Sequence, residues 1–181
     1  GNWQQTAKLA ANDAAAGDYF GYSVGVSDTT AIVGAFLDDD AGASTGAAYI
    51  FRKVNGTWQQ TAKIKANDAD GGAQFGFSVA LQGKYAIVGA RYDDTLGPDS
   101  GASYIFREAG GVWTQIKKLT GSDTNNSDRF GTSAAIDEGY AIFGAVGAGY
   151  HINGDDDGGA YVFQIVDFDC NDNEVPDECD T

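Results

Sequence analysis

The chain has 181 residues, a length that fits one domain better than two. Its 11 basic and 26 acidic side chains give a formal net charge of −15, which argues against nucleic acid or an anionic membrane surface as the natural partner. Hydrophobic residues make up 43%, too many for a disordered chain, yet no stretch approaches the roughly 20 apolar residues of a membrane-spanning helix. The composition predicts a soluble globular protein that neither binds nucleic acid nor inserts into a membrane.

A repeat of 55 residues organises the sequence. The segment NWQQTAKLAANDAAAGDYFGYSVGV returns as TWQQTAKIKANDADGGAQFGFSVAL and again as VWTQIKKLTGSDTNNSDRFGTSAAI, with Trp3, Trp58 and Trp113 in register. The third unit is longer by two residues, because Tyr161 follows Tyr104 after 57 positions, and the insertion falls in the loop GAGYHINGDDDGG. Repeats of this length predict a fold built from stacked, similar units.

Each unit contains four runs with the composition of strands, here called A to D. In the first unit these are FGYSVGV, AIVGAF, AAYIFRKV and TWQQTAKI, separated by clusters of Gly, Asp, Asn and Ser. The chain therefore reads as a lone D strand at residues 2–9, then A to D twice, then A to C. This order predicts an all-β fold of 12 antiparallel strands in three four-stranded sheets, with no helix.

The pattern within the strands predicts their place in each sheet. Runs such as YAIVGA are continuously apolar, as expected for a strand covered on both faces, whereas TWQQTAKI alternates like an outer strand with one wet face. The glycines of the recurring FG and GA pairs favour a close approach of backbones where sheets pack. Sheets stacked radially as blades satisfy both patterns.

The FG pair at the head of strand A and the GA pair at the end of strand B resemble FG-GAP repeats over residues 1–166. These repeats form the β-propeller blades of the integrin α-subunit head and of many secreted bacterial proteins. The resemblance implies a secreted or cell-surface module for structure, adhesion or protein binding. GAF, GAR and GAV stand here in place of GAP, and the short links VSDTTA, LQGKYA and IDEGYA replace the family's calcium loop between strands A and B.

Three blades are fewer than the four to eight of closed propellers. The first unit is preceded by a lone D strand, in which Trp3 and Leu9 are the apolar anchors, and the last unit lacks a D strand after YVFQIV. The two ends are therefore complementary in strand content. We interpret this as a partial propeller completed by another chain, in a ring or a filament, or by sequence missing from a fragment.

Acidic loops offer candidate metal ligands. Because strand direction alternates, the D-to-A and B-to-C connections emerge on one face of every blade, and most aspartates lie in these connections. Calcium takes six to eight oxygen ligands from such flexible loops, but solvated acidic loops that keep a protein soluble give the same pattern. The candidates, strongest in FLDDDAGASTG and NGDDDGG, are Asp38, Asp39, Asp40, Asp93, Asp94, Asp155, Asp156 and Asp157.

The last residues, 167–181, form a separate acidic segment. In DCNDNEVPDECD, oxygen-bearing side chains stand at positions 1, 3, 5, 9 and 12 of a twelve-residue loop, as in an EF-hand, and the segment resembles the calcium repeats of dockerins and thrombospondin type 3 modules. A disulfide between Cys170 and Cys179 could join the ends of this loop, which implies an oxidising compartment. The expected calcium ligands are Asp169, Asn171, Asn173, the Val175 carbonyl, Asp177 and Asp180.

Catalytic residues are not evident. His151 is the only histidine and lies in the inserted loop without a triad partner, so we expect no enzyme. The preferred interpretation is an extracellular calcium-binding module that binds protein, including copies of itself. Two alternatives stay open. One is a glycan-binding propeller, with Tyr92 and Tyr150 stacking on sugar rings; the other is an accessory domain of a larger secreted enzyme.

Overall fold

A computed structural model describes residues 2–149 and 157–165, which form eleven strands and no helix. These residues therefore include no helix of the length and apolarity needed to cross a membrane. Each sheet is antiparallel, and its strands follow one another in sequence order. The first sheet contains β1 (Ser23–Ser27), β2 (Thr30–Ala35), β3 (Ala47–Val54) and β4 (Thr57–Ile64). The second contains β5 (Phe75–Gln82), β6 (Tyr85–Ala90), β7 (Ala102–Ala109) and β8 (Val112–Leu119), and the third β9 (Phe130–Asp137), β10 (Tyr140–Ala145) and β11 (Gly159–Gln164).

The all-β class and the three blade-like sheets confirm the sequence prediction, but the strand count differs. Residues 2–9, predicted as a lone strand, belong to no sheet, and the third sheet has three strands among the described residues. A strand forms only where its backbone groups find an edge to pair with. In the single chain residues 2–9 pair with none of the free sheet edges of its described part, the outer edge of β11 included, so eleven strands form there instead of twelve.

The three sheets pack face to face in chain order. One apolar cluster lies between the first and second sheets and another between the second and third. The continuously apolar β2 and β6 are buried along their whole length, while β4 and β8 alternate, as their patterns predict. The stack is open, because the first and third sheets each keep one face directed away from the second.

Backbone contacts lock neighbouring sheets together at the predicted glycines. Gly34, at the end of β2, lies so close to the carbonyl oxygen of Gly76 that a Cβ would collide with it, and Gly89 meets Gly131 in the same way. Short parallel bridges join Gly46 to Phe75 and Gly101 to Phe130. The prediction that FG and GA glycines allow close backbone approach is therefore confirmed.

Candidate functional site

In the first blade the side chain of Lys63 contacts carboxylates from both sets of acidic loops. The Nζ of Lys63 on β4 lies 2.8 Å from Asp13 Oδ2 and 2.7 Å from Asp38 Oδ2, and it also contacts the Asp40 carboxylate. The hydroxyl of Tyr49 donates a 2.7 Å hydrogen bond to Asp38 Oδ2. The predicted convergence of the two sets of loops is thus present, but at its centre lies the ammonium group of Lys63, which is not among the predicted site residues.

The second blade repeats this arrangement with fewer carboxylates. The Nζ of Lys118 on β8 lies 2.6 Å from Asp68 Oδ2 and 2.9 Å from Asp93 Oδ2. The hydroxyl of Tyr104 donates a 2.8 Å hydrogen bond to Asp93 Oδ2, and Asp93 Oδ1 accepts a 3.0 Å bond from the Thr95 backbone. Asp93 is almost wholly buried, so these partners satisfy a carboxylate that would otherwise be costly.

The pKa shifts of Asp13, Lys63 and Asp93 all favour the charged form of the group. The hydrogen bond from Lys63 lowers the pKa of Asp13. Burial alone would lower the pKa of Lys63, but its hydrogen bonds to the three aspartates outweigh burial and raise it. In the second blade burial opposes ionisation of Asp93, yet hydrogen bonds from Thr95, Lys118 and Tyr104 bring its pKa below the ordinary value of 3.8. Each lysine therefore acts as the internal counter-ion of its blade.

The positions of the first-blade carboxylates indicate how well calcium would fit among them. Carboxylate oxygens of Asp13, Asp38 and Asp40 lie within 4.8 Å of one another, a spacing that suits a metal ion. The Lys63 ammonium already occupies the same place. Calcium seeks six to eight oxygens, so it would have to displace the lysine and recruit further ligands. These carboxylates suit the ammonium better than they suit calcium.

The other predicted loop ligands do not join these clusters. Asp39 is exposed beside the first cluster, and Asp94 accepts a 2.8 Å hydrogen bond from the Asp99 backbone within its own loop. Asp157 is exposed as well. The remaining predicted ligands and both cysteines lie outside the described residues: Asp155, Asp156, Asp169, Cys170, Asn171, Asn173, Val175, Asp177, Cys179 and Asp180.

The third blade holds only part of the cluster. The Tyr161 hydroxyl donates a 2.7 Å hydrogen bond to Asp123 Oδ1, and Ala148 stands at the repeat position of the buried Asp38 and Asp93. Among the described residues no lysine contacts this pair. Burial, followed by the hydrogen bond to Asp123, raises the pKa of Tyr161 to about 12. The pair keeps a carboxylate and a phenol without the cation of the other two blades.

The open ends of the stack expose apolar side chains that are buried elsewhere. On the first sheet Val24 is exposed, whereas its repeat equivalent Val79 is buried between sheets. On the third sheet Ile142 is 41% exposed, while its equivalent Ile87 is fully buried. Val26 on the first sheet and Tyr140 and Val162 on the third are exposed in the same way. Val24 and Val26 mark the first-sheet face, and Tyr140, Ile142 and Val162 mark the third-sheet face.

The predicted anchors of the lone strand have different surroundings. Trp3 is fully exposed. Leu9 packs against the apolar cluster of the first sheet, as does the partly buried Trp58. The segment therefore begins in solvent and joins the fold only near its end.

The aromatic residues proposed for glycan binding receive little support from the described part of the chain. The Tyr92 ring has the guanidinium carbon of Arg91 at 4.4 Å and that of Arg129 at 5.7 Å from its centroid. A sugar ring stacking there would compete with these cations. Tyr150 and His151 lie outside the described residues.

Four-stranded antiparallel sheets, stacked in sequence order with glycine contacts between them, define a set of β-propeller blades. The model of the FG-GAP repeat family matches residues 3–51, 58–106 and 113–163, one match for each blade. The chain belongs to the FG-GAP repeat family. Propellers of this family are generally binding or structural modules and are typically extracellular. No curated protein matches the chain significantly.

Proposed function

We propose that the chain is an extracellular structural or adhesion module that works by binding protein, and that its first partner is another copy of itself. The observation that carries this proposal is the pair of exposed sheet faces at opposite ends of the stack. Because both faces repeat surfaces that are buried inside the stack, each has the shape and apolarity to receive the other.

The two faces correspond to the two sides of an existing interface. The third-sheet face repeats the side of the second sheet that buries Ile87 against the third, and the first-sheet face repeats the side of the second sheet that buries Val79 against the first. Stacking the third sheet of one copy on the first sheet of the next would reproduce an interface that the chain builds twice internally. Such a head-to-tail contact gives a ring if it closes and a filament if it does not.

A serine-to-backbone hydrogen bond that joins neighbouring sheets could also form between these two faces. The Ser23 hydroxyl donates a 2.8 Å hydrogen bond to the Gly76 carbonyl of the next sheet, and Ser78 donates one of 2.7 Å to Gly131. Ser133 is the repeat equivalent in the third sheet, and Gly21 would supply the matching carbonyl from the first sheet of a second copy. A Cβ on Gly21 would meet nothing within 4 Å in the single chain, which shows how open this position is.

Calcium binding belongs to the same proposal and rests on the spacing of oxygen ligands in residues 169–180. The loop carboxylates of the first two blades already bind the ammonium groups of Lys63 and Lys118. We therefore assign calcium to the tail in preference to the loops. Calcium that binds only the folded tail should raise its stability with increasing concentration.

Sedimentation equilibrium of the full chain over a wide range of concentration tests self-association. We expect mass to rise with concentration, and Ile142→Asp to abolish the rise because a charge would be buried on the third-sheet face. Asp70→Lys, a change of charge at an exposed loop position, is the matched control. A wild-type chain that stays monomeric throughout would refute the proposal.

The same samples, run with calcium and with a chelator, test the metal. We expect the melting temperature to rise with calcium, and Asp169→Ala together with Asp180→Ala to remove the response. A response that persists in this double variant would place the ion elsewhere, and a flat response of the wild type would exclude calcium.

A further inference from the structure

We propose that Lys8 of a second copy binds the Asp123–Tyr161 pair and thereby fixes the register in which residues 2–9 of that copy add to β11 as a fourth strand. This inference rests on the self-association proposed above and names the contact that specifies it. The partner is a second copy because the chain itself carries the lysine that the third blade lacks.

The two complete blades define where this lysine should lie. On the first sheet Tyr49 pairs with Lys63 across β3 and β4, and on the second Tyr104 pairs with Lys118 across β7 and β8. In both, the ammonium lies just over 5 Å from the centroid of the paired tyrosine ring. Fifty-five residues before Lys63 is Lys8, which is exposed in the single chain.

The third sheet offers the tyrosine and carboxylate of this arrangement in the corresponding place. Tyr161 on β11 takes the position of Tyr104, and Asp123 that of Asp68, the carboxylate 2.6 Å from Lys118. Asp123 Oδ1 accepts the hydrogen bond from Tyr161, which leaves Oδ2 for an ammonium. With a net charge of −15, two copies repel each other at long range, so a specific cation at the contact matters more than it would for a neutral protein.

The backbone of the third sheet matches the other two in the register that a fourth strand would need. The Ile165 N–H donates a 2.7 Å hydrogen bond to the Gly139 carbonyl, as the Lys53 and Glu108 N–H groups do to their own turns at 2.8 Å. The outer edge of β11 therefore corresponds residue by residue to those of β3 and β7. Residues 2–9 of the second copy would pair with β11 as β8 pairs with β7, with the bulge falling at Thr6. The resulting pairs are Leu9–Ala160, Lys8–Tyr161, Ala7–Val162, Gln5–Phe163, Gln4–Gln164 and Trp3–Ile165.

A second side-chain contact follows from the same register. The Asn12 N–H donates a 2.9 Å hydrogen bond to Gln60 Oε1, and the Asn67 N–H donates one of 2.9 Å to Gln115 Oε1. Their equivalents in the third blade are the Ser122 N–H and Gln5 of the second copy. Lys8 and Gln5 would thus contact one loop of the partner, residues 122–123, from neighbouring points on one strand.

A charge exchange between the two residues tests the pairing. In Lys8→Asp two carboxylates would meet, and in Asp123→Lys two ammonium groups would meet, so each variant alone should associate about 100-fold more weakly than the wild type. In an equimolar mixture the carboxylate introduced at position 8 of one variant meets the ammonium introduced at position 123 of the other. The unchanged Lys8 and Asp123 meet at the alternate contacts. Mixing should therefore restore the wild-type mass within about threefold in concentration, measured by sedimentation equilibrium.

Controls separate this contact from general charge effects. Lys117→Asp and Asp70→Lys make the same changes of charge at exposed positions outside the pair and should leave association close to that of the wild type. The melting temperature of each variant at low concentration reports whether the fold is intact. Because Lys8 and Asp123 are both exposed, we expect it to be almost unchanged.

The outcomes distinguish the inference from the proposed function. If the wild type associates but the Lys8 and Asp123 variants behave like the controls, the pairing is overturned while self-association stands. If both variants weaken association but their mixture does not recover, the two residues do not meet and the register is wrong. A wild type that is monomeric at every concentration overturns both, since no second copy is then bound.

Discussion

The second and third blades share one repeat but differ in their surroundings. The second has neighbours on both faces and a complete lysine cluster, whereas the third has a neighbour on one face and, among the described residues, a Tyr161–Asp123 pair without a lysine. Equivalent isoleucines are fully buried in one and 41% exposed in the other. The difference shows that a blade of this kind is completed by its neighbours, because its own strands provide only half of each interface.

The largest expected difference between the two blades is the cost of removing a side chain from the interface. Ile87→Ala should lower the free energy of unfolding by about 2 to 5 kcal/mol, because it leaves a cavity between sheets. Ile142→Ala should change it by only about 0.5 kcal/mol in the dilute single chain. Urea unfolding at low protein concentration measures both. Equal losses would mean that Ile142 is covered in the monomer.

The glycine contacts give a second comparison, between the first and second blades. Gly21 and Gly76 both have positive φ, at +93° and +89°, so alanine costs about 1 to 2 kcal/mol at either position. At Gly76 the added Cβ would also collide with the Ala47 carbonyl of the first sheet, an overpacking worth about 1 to 3 kcal/mol more. Gly76→Ala should therefore melt at a lower temperature than Gly21→Ala. The reverse order would contradict the sheet contact.

Removing the tyrosine hydroxyl should also destabilise the protein more in the second blade than in the third, although the difference is smaller. Tyr104→Phe leaves the buried Asp93 with one donor fewer, a loss of about 1 to 3 kcal/mol. Tyr161→Phe removes a bond to the exposed Asp123, where water replaces the donor, so its effect should be smaller. Thermal unfolding of the two variants side by side provides the test. Similar losses would show that Asp123 is shielded from water.

The smallest expected difference between the two blades is in how their tyrosines affect stability at high pH. The pKa of Tyr161 is raised from 10.0 to about 12, so the folded state retains a proton that the unfolded chain releases. The stability that this shift contributes is fully present below pH 10 and is lost as pH rises through 12. The stability difference between the wild type and Tyr161→Phe should shrink over this interval. For Tyr104, whose pKa is raised further, the loss should continue beyond it. A constant difference for Tyr161 would contradict the assigned shift.

The sequence predicted the sheets well because the signals that define them are local and recur three times. Alternation along TWQQTAKI, the apolar run YAIVGA and the FG and GA glycines each depend on neighbours within a few residues or on the repeat itself. The order of strands, the outer position of β4 and β8 and the sheet contacts at Gly34 and Gly89 all followed from them.

The candidate site was harder to predict because its centre comes from another strand. Asp38 and Lys63 are 25 residues apart, and only the folded blade brings them together. Counting carboxylates suggested calcium, while the recurrence of Lys63 and Lys118 at the repeat interval was the signal that could have revealed the internal cation. The lone strand at 2–9 failed for a related reason, since pairing depends on an edge that the described part of the single chain does not bring to it.

The glycine pairs between the blades have an evolutionary consequence. Main-chain atoms of Gly34 and Gly76, and of Gly89 and Gly131, meet directly, so the rotation from one sheet to the next is dictated by the polypeptide backbone. Side chains around these points can diversify without altering that rotation. A lineage that duplicates the unit therefore inherits a constant curvature, which fixes the diameter of the assembly, and the number of units decides only how much of the circle is filled.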